Sequence, residues 1–129
     1  MQKSQAIFVL LAVGTSFILQ GCMLLAVGAG AAGTVAYVRG DLEAVEAKKL
    51  DTVYDATKKA LEQLELSISK DTKDAMSAEI TARDSQDKKI TVKLTAATED
   101  STKLSIRFGV FGDETKSRMI HDRIKKNLE

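Results

Sequence analysis

Side chains able to do covalent or acid–base chemistry are few in this 129-residue chain. One histidine occurs, His121, with Ser117 one helical turn before it and Asp122 beside it. The trio invites a reading as hydroxyl nucleophile, imidazole base and orienting carboxylate. Helix geometry argues against it. Adjacent residues on a helix point about 100° apart, so Asp122 cannot easily hold an imidazole that serves Ser117. The expectation is a histidine on the helix surface or partly buried. The carboxylates are dispersed, with no D-x-D-x-D-G loop and no H-E-x-x-H pair, so no metal site is expected. Gly28-Ala29-Gly30-Ala31-Ala32-Gly33 matches a G-x-G-x-x-G string, yet no first strand precedes it and no dinucleotide is implied. No catalytic residue and no cofactor are expected, and the protein reads as a non-enzyme.

The single thiol, Cys22, has the most telling surroundings. An intrachain disulfide and a thiolate zinc site are both out of reach for one cysteine. It stands behind Leu19-Gln20-Gly21, at the end of an apolar or small-residue run from Ala6 to Leu19, with Lys3 ahead of that run. Charged n-region, apolar h-region and small residue at the cut describe a secretory signal over residues 1–21. The alternative is a plain uncleaved anchor, but the run is short against the ~20 residues that a membrane span needs. A cysteine at the cut makes the segment resemble a bacterial lipoprotein signal. That resemblance implies that Cys22 is acylated on sulfur and becomes the mature N-terminus. Each buried methylene contributes ~0.8 kcal/mol, so two or three acyl chains hold a protein stably where one holds it marginally. Among proteobacterial lipoproteins an aspartate after the cysteine favours inner-membrane retention. Met23 stands there instead, which points to the outer membrane, facing the periplasm or the surface.

Loss of residues 1–21 removes one charge, Lys3, leaving equal numbers of basic and acidic residues. A neutral balance argues against nucleic acid, which demands a basic face, and against electrostatic docking on anionic lipid. There is no proline or tryptophan, with four phenylalanines and two tyrosines. That is a lean core, fit for one small domain rather than for a large enclosed pocket.

Residues 23–38 are apolar or small, with Gly28, Gly30 and Gly33 interleaved. Residues 22–40 are read as the lipidated cysteine and an apolar Gly/Ala-rich tether. The sharper alternative is a short embedded segment, because Ala26 and Gly30, and Ala29 and Gly33, have the spacing of close helix contact in lipid. The domain is expected over 41–129. Leu42, Ala44 and Glu46 alternate weakly, as in a strand. Leu50, Val53, Tyr54, Thr57, Ala60, Leu61 and Leu64 follow the i, i+3, i+4, i+7 rule of an amphipathic helix, and Leu66 and Ile68 then switch to a period of two. Met76 to Ala82, Ile90 to Leu94 and Leu104 to Phe108 alternate apolar with polar, the mark of an antiparallel sheet covered on one side. A last amphipathic helix carries Ser117, Ile120, His121, Ile124 and Leu128. The class is therefore α+β, an antiparallel sheet of four to five strands with two helices on one face. Its order is β-α-β-β-β-β-α, the first strand resting on the weakest pattern.

Phe108-Gly109-Val110-Phe111-Gly112-Asp113 joins the last strand to the last helix. Gly109 and Gly112 suit a sharp corner with positive φ, Asp113 is a natural N-cap, and Phe111 is expected to plug the seam between sheet and helix. The alternative is that Phe111 and Tyr54 line a cleft between the helices that accepts an acyl chain or a partner side chain.

Together these elements resemble a family of short bacterial lipoproteins catalogued as domain of unknown function 3568. The matching residues are Cys22, Tyr37, Gly40 and Leu42, then Val53, Tyr54, Ala56, Ala60, Leu61 and Leu64. The most specific match is Ile106 to Asp113, followed by Ser117, Ile120 and Ile124. The resemblance implies a small α+β fold similar to the BON domain of envelope proteins, and supplies no catalytic residue. The expected function is a membrane-anchored envelope protein, a non-enzymatic binding or structural module. Its partners are the membrane, through the N-terminal lipid, and an envelope protein or lipid. A carrier of lipid or small apolar ligands, using a cleft between helices and sheet, is the alternative.

Overall fold

The computed structural model describes residues 34–129. The signal, Cys22 and residues 23–33 of the tether lie outside the described residues. The chain runs β1 (Val35–Val38), β2 (Asp41–Glu46), α1 (Leu50–Gln63), β3 (Ser67–Lys73), β4 (Ser77–Arg83), β5 (Lys89–Thr98), β6 (Ser101–Phe108) and α2 (Glu114–Leu128). The strands form one six-stranded sheet in the order β1-β2-β6-β5-β4-β3. Every neighbouring pair is antiparallel.

Alternation along the strands sets the two faces. Leu42, Ile106, Val92 and Ile80 stand in one row across β2, β6, β5 and β4, all wholly buried. Glu43, Ser105, Lys93 and Glu79 form the next row, on the opposite and open face. Both helices cover the buried face. From α1, Leu50, Val53, Ala56, Thr57, Ala60 and Leu61 point inward, and from α2, Ser117, Ile120, His121 and Ile124. The i, i+3, i+4 spacing puts each set on one stripe. Asn127 Nδ2 donates to the carbonyl of Ala56, tying the helices together.

Local chemistry closes the elements. Glu65 takes a left-handed φ of 58° just past α1, while the Leu66 amide donates back to the carbonyl of Leu61, so the chain turns into β3 where the switch of period places the change. Asp84 Oδ1 accepts from the amides of Gln86 and Lys88 to shape the β4–β5 turn, and Asp74 Oδ1 does the same for Met76 and Ser77 between β3 and β4. The β3 edge is protected by Lys70, Asp71 and Lys73 and by a register shift between Ile68 and Lys70.

The sheet has six strands where four to five are expected, and it begins at Val35 rather than after Gly40. The sequence places Val35–Val38 in the tether because it continues a run of small apolar residues. It pairs with β2 through a two-residue turn, Arg39-Gly40, in which both residues have positive φ. Such turns match the right-handed twist of paired strands. Val35 and Tyr37 pack against the core, which gives this short strand its reason to pair.

Candidate functional site

Three connections meet at one end of the sheet: the β1–β2 turn, the β4–β5 turn and the corner between β6 and α2. Backbone hydrogen bonds begin the assembly. The Gly109 amide donates to the carbonyl of Lys89 at 2.7 Å, which sets the corner beside β5. Arg107 then ties it to the hairpin. Its Nε and Nη2 donate to the two carboxylate oxygens of Asp41 at 2.7 and 3.1 Å, Nη2 also to the carbonyl of Arg39 at 2.9 Å, and Nη1 to the carbonyl of Val110 at 3.1 Å. Asp41 raises the pKa of this guanidinium further, and the planar fork fits both oxygens at once.

Glycine makes the closest approach feasible. Gly112 has φ of 84° and Gly40 φ of 90°. A β-carbon on Gly112 would run into the backbone of Gly40 and lie 2.6 Å from the Tyr37 hydroxyl. One on Gly40 would lie 2.7 Å from the carbonyl oxygen of Phe111. Two main chains touch here with no room for a side chain. Gly109 also has positive φ, 78°, but faces open space, so its requirement is conformational only. Asp113 caps α2 as expected, its Oδ1 accepting from the Lys116 amide at 3.0 Å.

The expected role of Phe111 is overturned. Its side chain is 92% exposed, and Val110 beside it 79%. Phe108, last on β6 and on the inward side of the alternation, is the aromatic that fills the seam, at 4% exposure. The cause is the corner itself: once Gly109 leaves the strand with positive φ, residues 110 and 111 are carried out of the sheet, and α2 returns only at Asp113. Lys116 Nζ lies 4.7 Å from the centre of the Phe108 ring, a cation–π contact at the rim. The lining of a concavity of about 490 Å³ beside the tip includes Arg83, Asp87, Lys88, Phe108, Phe111 and Asp113.

Tyr54 is not part of this end, so the cleft shared by Tyr54 and Phe111 does not form. The Tyr54 hydroxyl donates to the carboxylate of Asp71 on the edge strand β3, at 2.7–2.8 Å. Lys58 Nζ lies 3.0 Å from the same carboxylate. The hydrogen bond from Tyr54 holds the Asp71 carboxyl below its ordinary pKa, and the same bond raises that of the phenol. Lys58 and Lys73 place their ammonium groups 5.4 and 5.2 Å from the Tyr54 ring centre. Tyr54 fastens α1 to one edge of the sheet, whereas Phe111 stands beside the hairpin that forms the other. The helix–sheet seam between them holds Val53, Leu61, Ile106 and Ile120, all wholly buried.

His121 is buried at 3%, deeper than expected, and Asp122 has no part in holding it. Its Nε2 is 2.6 Å from Oε1 of Glu46, at the inward end of β2 and itself 7% exposed. Ser117 is wholly buried and its Oγ has no hydrogen-bond partner. Serine, histidine and carboxylate are thus all buried beneath α2. Glu46 was legible as an acid on the inward side of the Leu42, Ala44, Glu46 alternation. Arg107 and Gly40 carried weaker signals, the arginine between inward-facing Ile106 and Phe108 and the glycine after Arg39.

Among the described residues, no group of three or more histidine, cysteine or acidic side chains is placed to hold a metal ion. No helix there is long and apolar enough to cross a membrane. Compared with known families, residues 5–127 match the one described as a protein of unknown function, DUF3568. The match covers nearly the whole chain, which therefore belongs to that family. No curated protein matches the chain.

Proposed function

We propose that this DUF3568 member is a lipid-anchored protein of the bacterial cell envelope, held at the outer membrane through Cys22. Its α+β domain acts there as a non-enzymatic binding module. The observation that carries the binding role is Phe111. An aromatic ring left 92% in water, on a backbone pinned by Arg107 and by the Gly40–Gly112 contact, is a prepared contact surface. Exposed aromatics on rigid supports give up little conformational entropy when they are covered. The anchoring role rests on the order of Lys3, the Ala6–Leu19 run, Gly21 and Cys22. The carrier alternative has less support, since large buried side chains fill the seam between helices and sheet.

Two experiments test the proposal. Metabolic labelling with a fatty-acid analogue should mark the wild type and leave Cys22→Ala unlabelled and unprocessed at Gly21; equal labelling overturns the anchor. A photo-crosslinking residue at position 111 in intact cells should capture an envelope component, protein or lipid. The same residue at Asp55, exposed on α1, should not. Equal yields from both positions would remove the case for a specific tip.

A further inference from the structure

We infer that the Val110–Phe111 tip seats on the surface of an anionic lipid bilayer, with Phe111 reaching the boundary between headgroups and acyl chains. The inference rests on the envelope-anchored reading above. Its first support is the grouping of apolar side chains. Val38 at 47%, Val110 at 79% and Phe111 at 92% exposure belong to adjoining turns at one end of the sheet. They are three of five large apolar side chains standing exposed among the described residues.

Charge is the second support. The carboxylates near this end are engaged: Asp41 by Arg107, Asp87 by Arg83, Glu114 by Arg118, Asp84 by turn amides and Asp113 by the first turn of α2. Arg39, Lys88 and Lys89 are exposed and have no carboxylate within ion-pair distance among the described residues. Amide hydrogen bonds leave Asp84 and Asp113 charged, so Arg39, Lys88, Lys89 and Lys116 set against these two give the tip a small cationic excess in a chain that is near neutral as a whole. An apolar point within a collar of lysine and arginine suits an anionic interface.

Size separates a bilayer from a protein partner. A stable protein–protein interface covers about 800 Å² on each side, which two or three protruding side chains do not approach. Membrane contact has no such threshold when an acyl anchor already holds the protein at the surface, because the tip then engages at a high effective concentration. About a dozen residues separate Cys22 from Val35, a contour of up to ~40 Å. That length allows anchor and tip to engage one membrane plane.

The absence of tryptophan from the chain provides the test. Full-length protein carrying Phe111→Trp, extracted with its own anchor, is reconstituted into vesicles of phosphatidylcholine and phosphatidylglycerol with brominated acyl chains. Glu99→Trp, in the β5–β6 turn at the far end of the sheet, is the reference. The expected result is blue-shifted emission for the position 111 reporter and at least two-fold stronger quenching than at position 99. The difference should shrink when phosphatidylglycerol is omitted or Lys88→Glu and Lys89→Glu are added. Equal, water-like emission from both reporters on floating vesicles overturns the tip inference and leaves the anchor standing. Failure of the full chain to float overturns both. A position 111 reporter that is dry in native envelope vesicles but wet in pure lipid assigns the tip to a protein partner and overturns the inference.

Discussion

Glu46 Oε1 and His121 Nε2 lie 2.6 Å apart inside the domain, joining the end of β2 to the middle of α2 across 75 positions of sequence. Both side chains are almost fully covered. Thr102, the ladder partner of Glu46, is buried as well and donates to the carbonyl of Lys48, fixing the connection into α1. The two helices and the sheet thus share one small polar point inside an otherwise apolar seam.

Removal of either partner should be costly, because the one left behind is a buried polar group without its hydrogen bond. Glu46→Leu and His121→Leu are each expected to destabilise the domain by about 1–3 kcal/mol. The paired replacement Glu46→Leu with His121→Leu should lose far less than the sum. Urea denaturation of the four proteins, arranged as a double-mutant cycle, measures the coupling.

The corner makes a contrasting set. Phe108→Ala should cost about 3–5 kcal/mol, as for other buried aromatic truncations, while Phe111→Ala should stay within about 0.5 kcal/mol. Gly112→Val should cost about 3 kcal/mol or more, since it combines a positive φ with a clash against Gly40 and Tyr37. Guanidinium melts would rank the three. A loss for Phe111→Ala as large as that for Phe108→Ala would contradict the exposed placement.

Domain limits can be checked by truncation. A chain of residues 34–129 should melt cooperatively. One of residues 41–129 lacks β1 and should be weaker by about 2–3 kcal/mol, the worth of covering Val35 and Tyr37. It should also self-associate, because β2 becomes an unprotected edge. Thermal melts with light scattering would show both effects.

Acid should destabilise the domain in a defined window. Asp71, Asp74 and Asp84 all have folded pKa values below their ordinary range, Asp71 through Tyr54, Asp74 through the amides of Met76 and Ser77 together with the Ser77 hydroxyl, and Asp84 through the amides of Lys88 and Gln86. A lowered folded pKa means that the stabilisation is complete above the unfolded value of about 3.9 and disappears as pH falls through the folded value. The contribution of these three carboxylates should therefore be flat from neutral pH to about 5 and decline below about 4. Tyr54→Phe should make that decline shallower, since Asp71 loses the bond that holds it down. Midpoints of urea denaturation at stepped pH values provide the measurement.

What the sequence by itself determined was local. Period and capping are properties of neighbouring residues, so α1, α2, the three central strands and the Asp113 cap were all readable before any contact was known. The positive φ of Gly109 and Gly112 was readable for the same reason. Tertiary structure decided what depends on distant segments meeting. Val35–Val38 is a strand only because β2 offers an edge and the core offers cover for Val35 and Tyr37; four residues carry too little pattern to announce it. Gly112 is irreplaceable because Gly40, seventy-two positions earlier, occupies the space its side chain would need. Phe108 and Phe111 stand three residues apart with the same chemistry, yet one is core and the other is surface. No periodicity separates them, because the corner between them breaks the period, and only the path of the backbone through Gly109 assigns each ring its side.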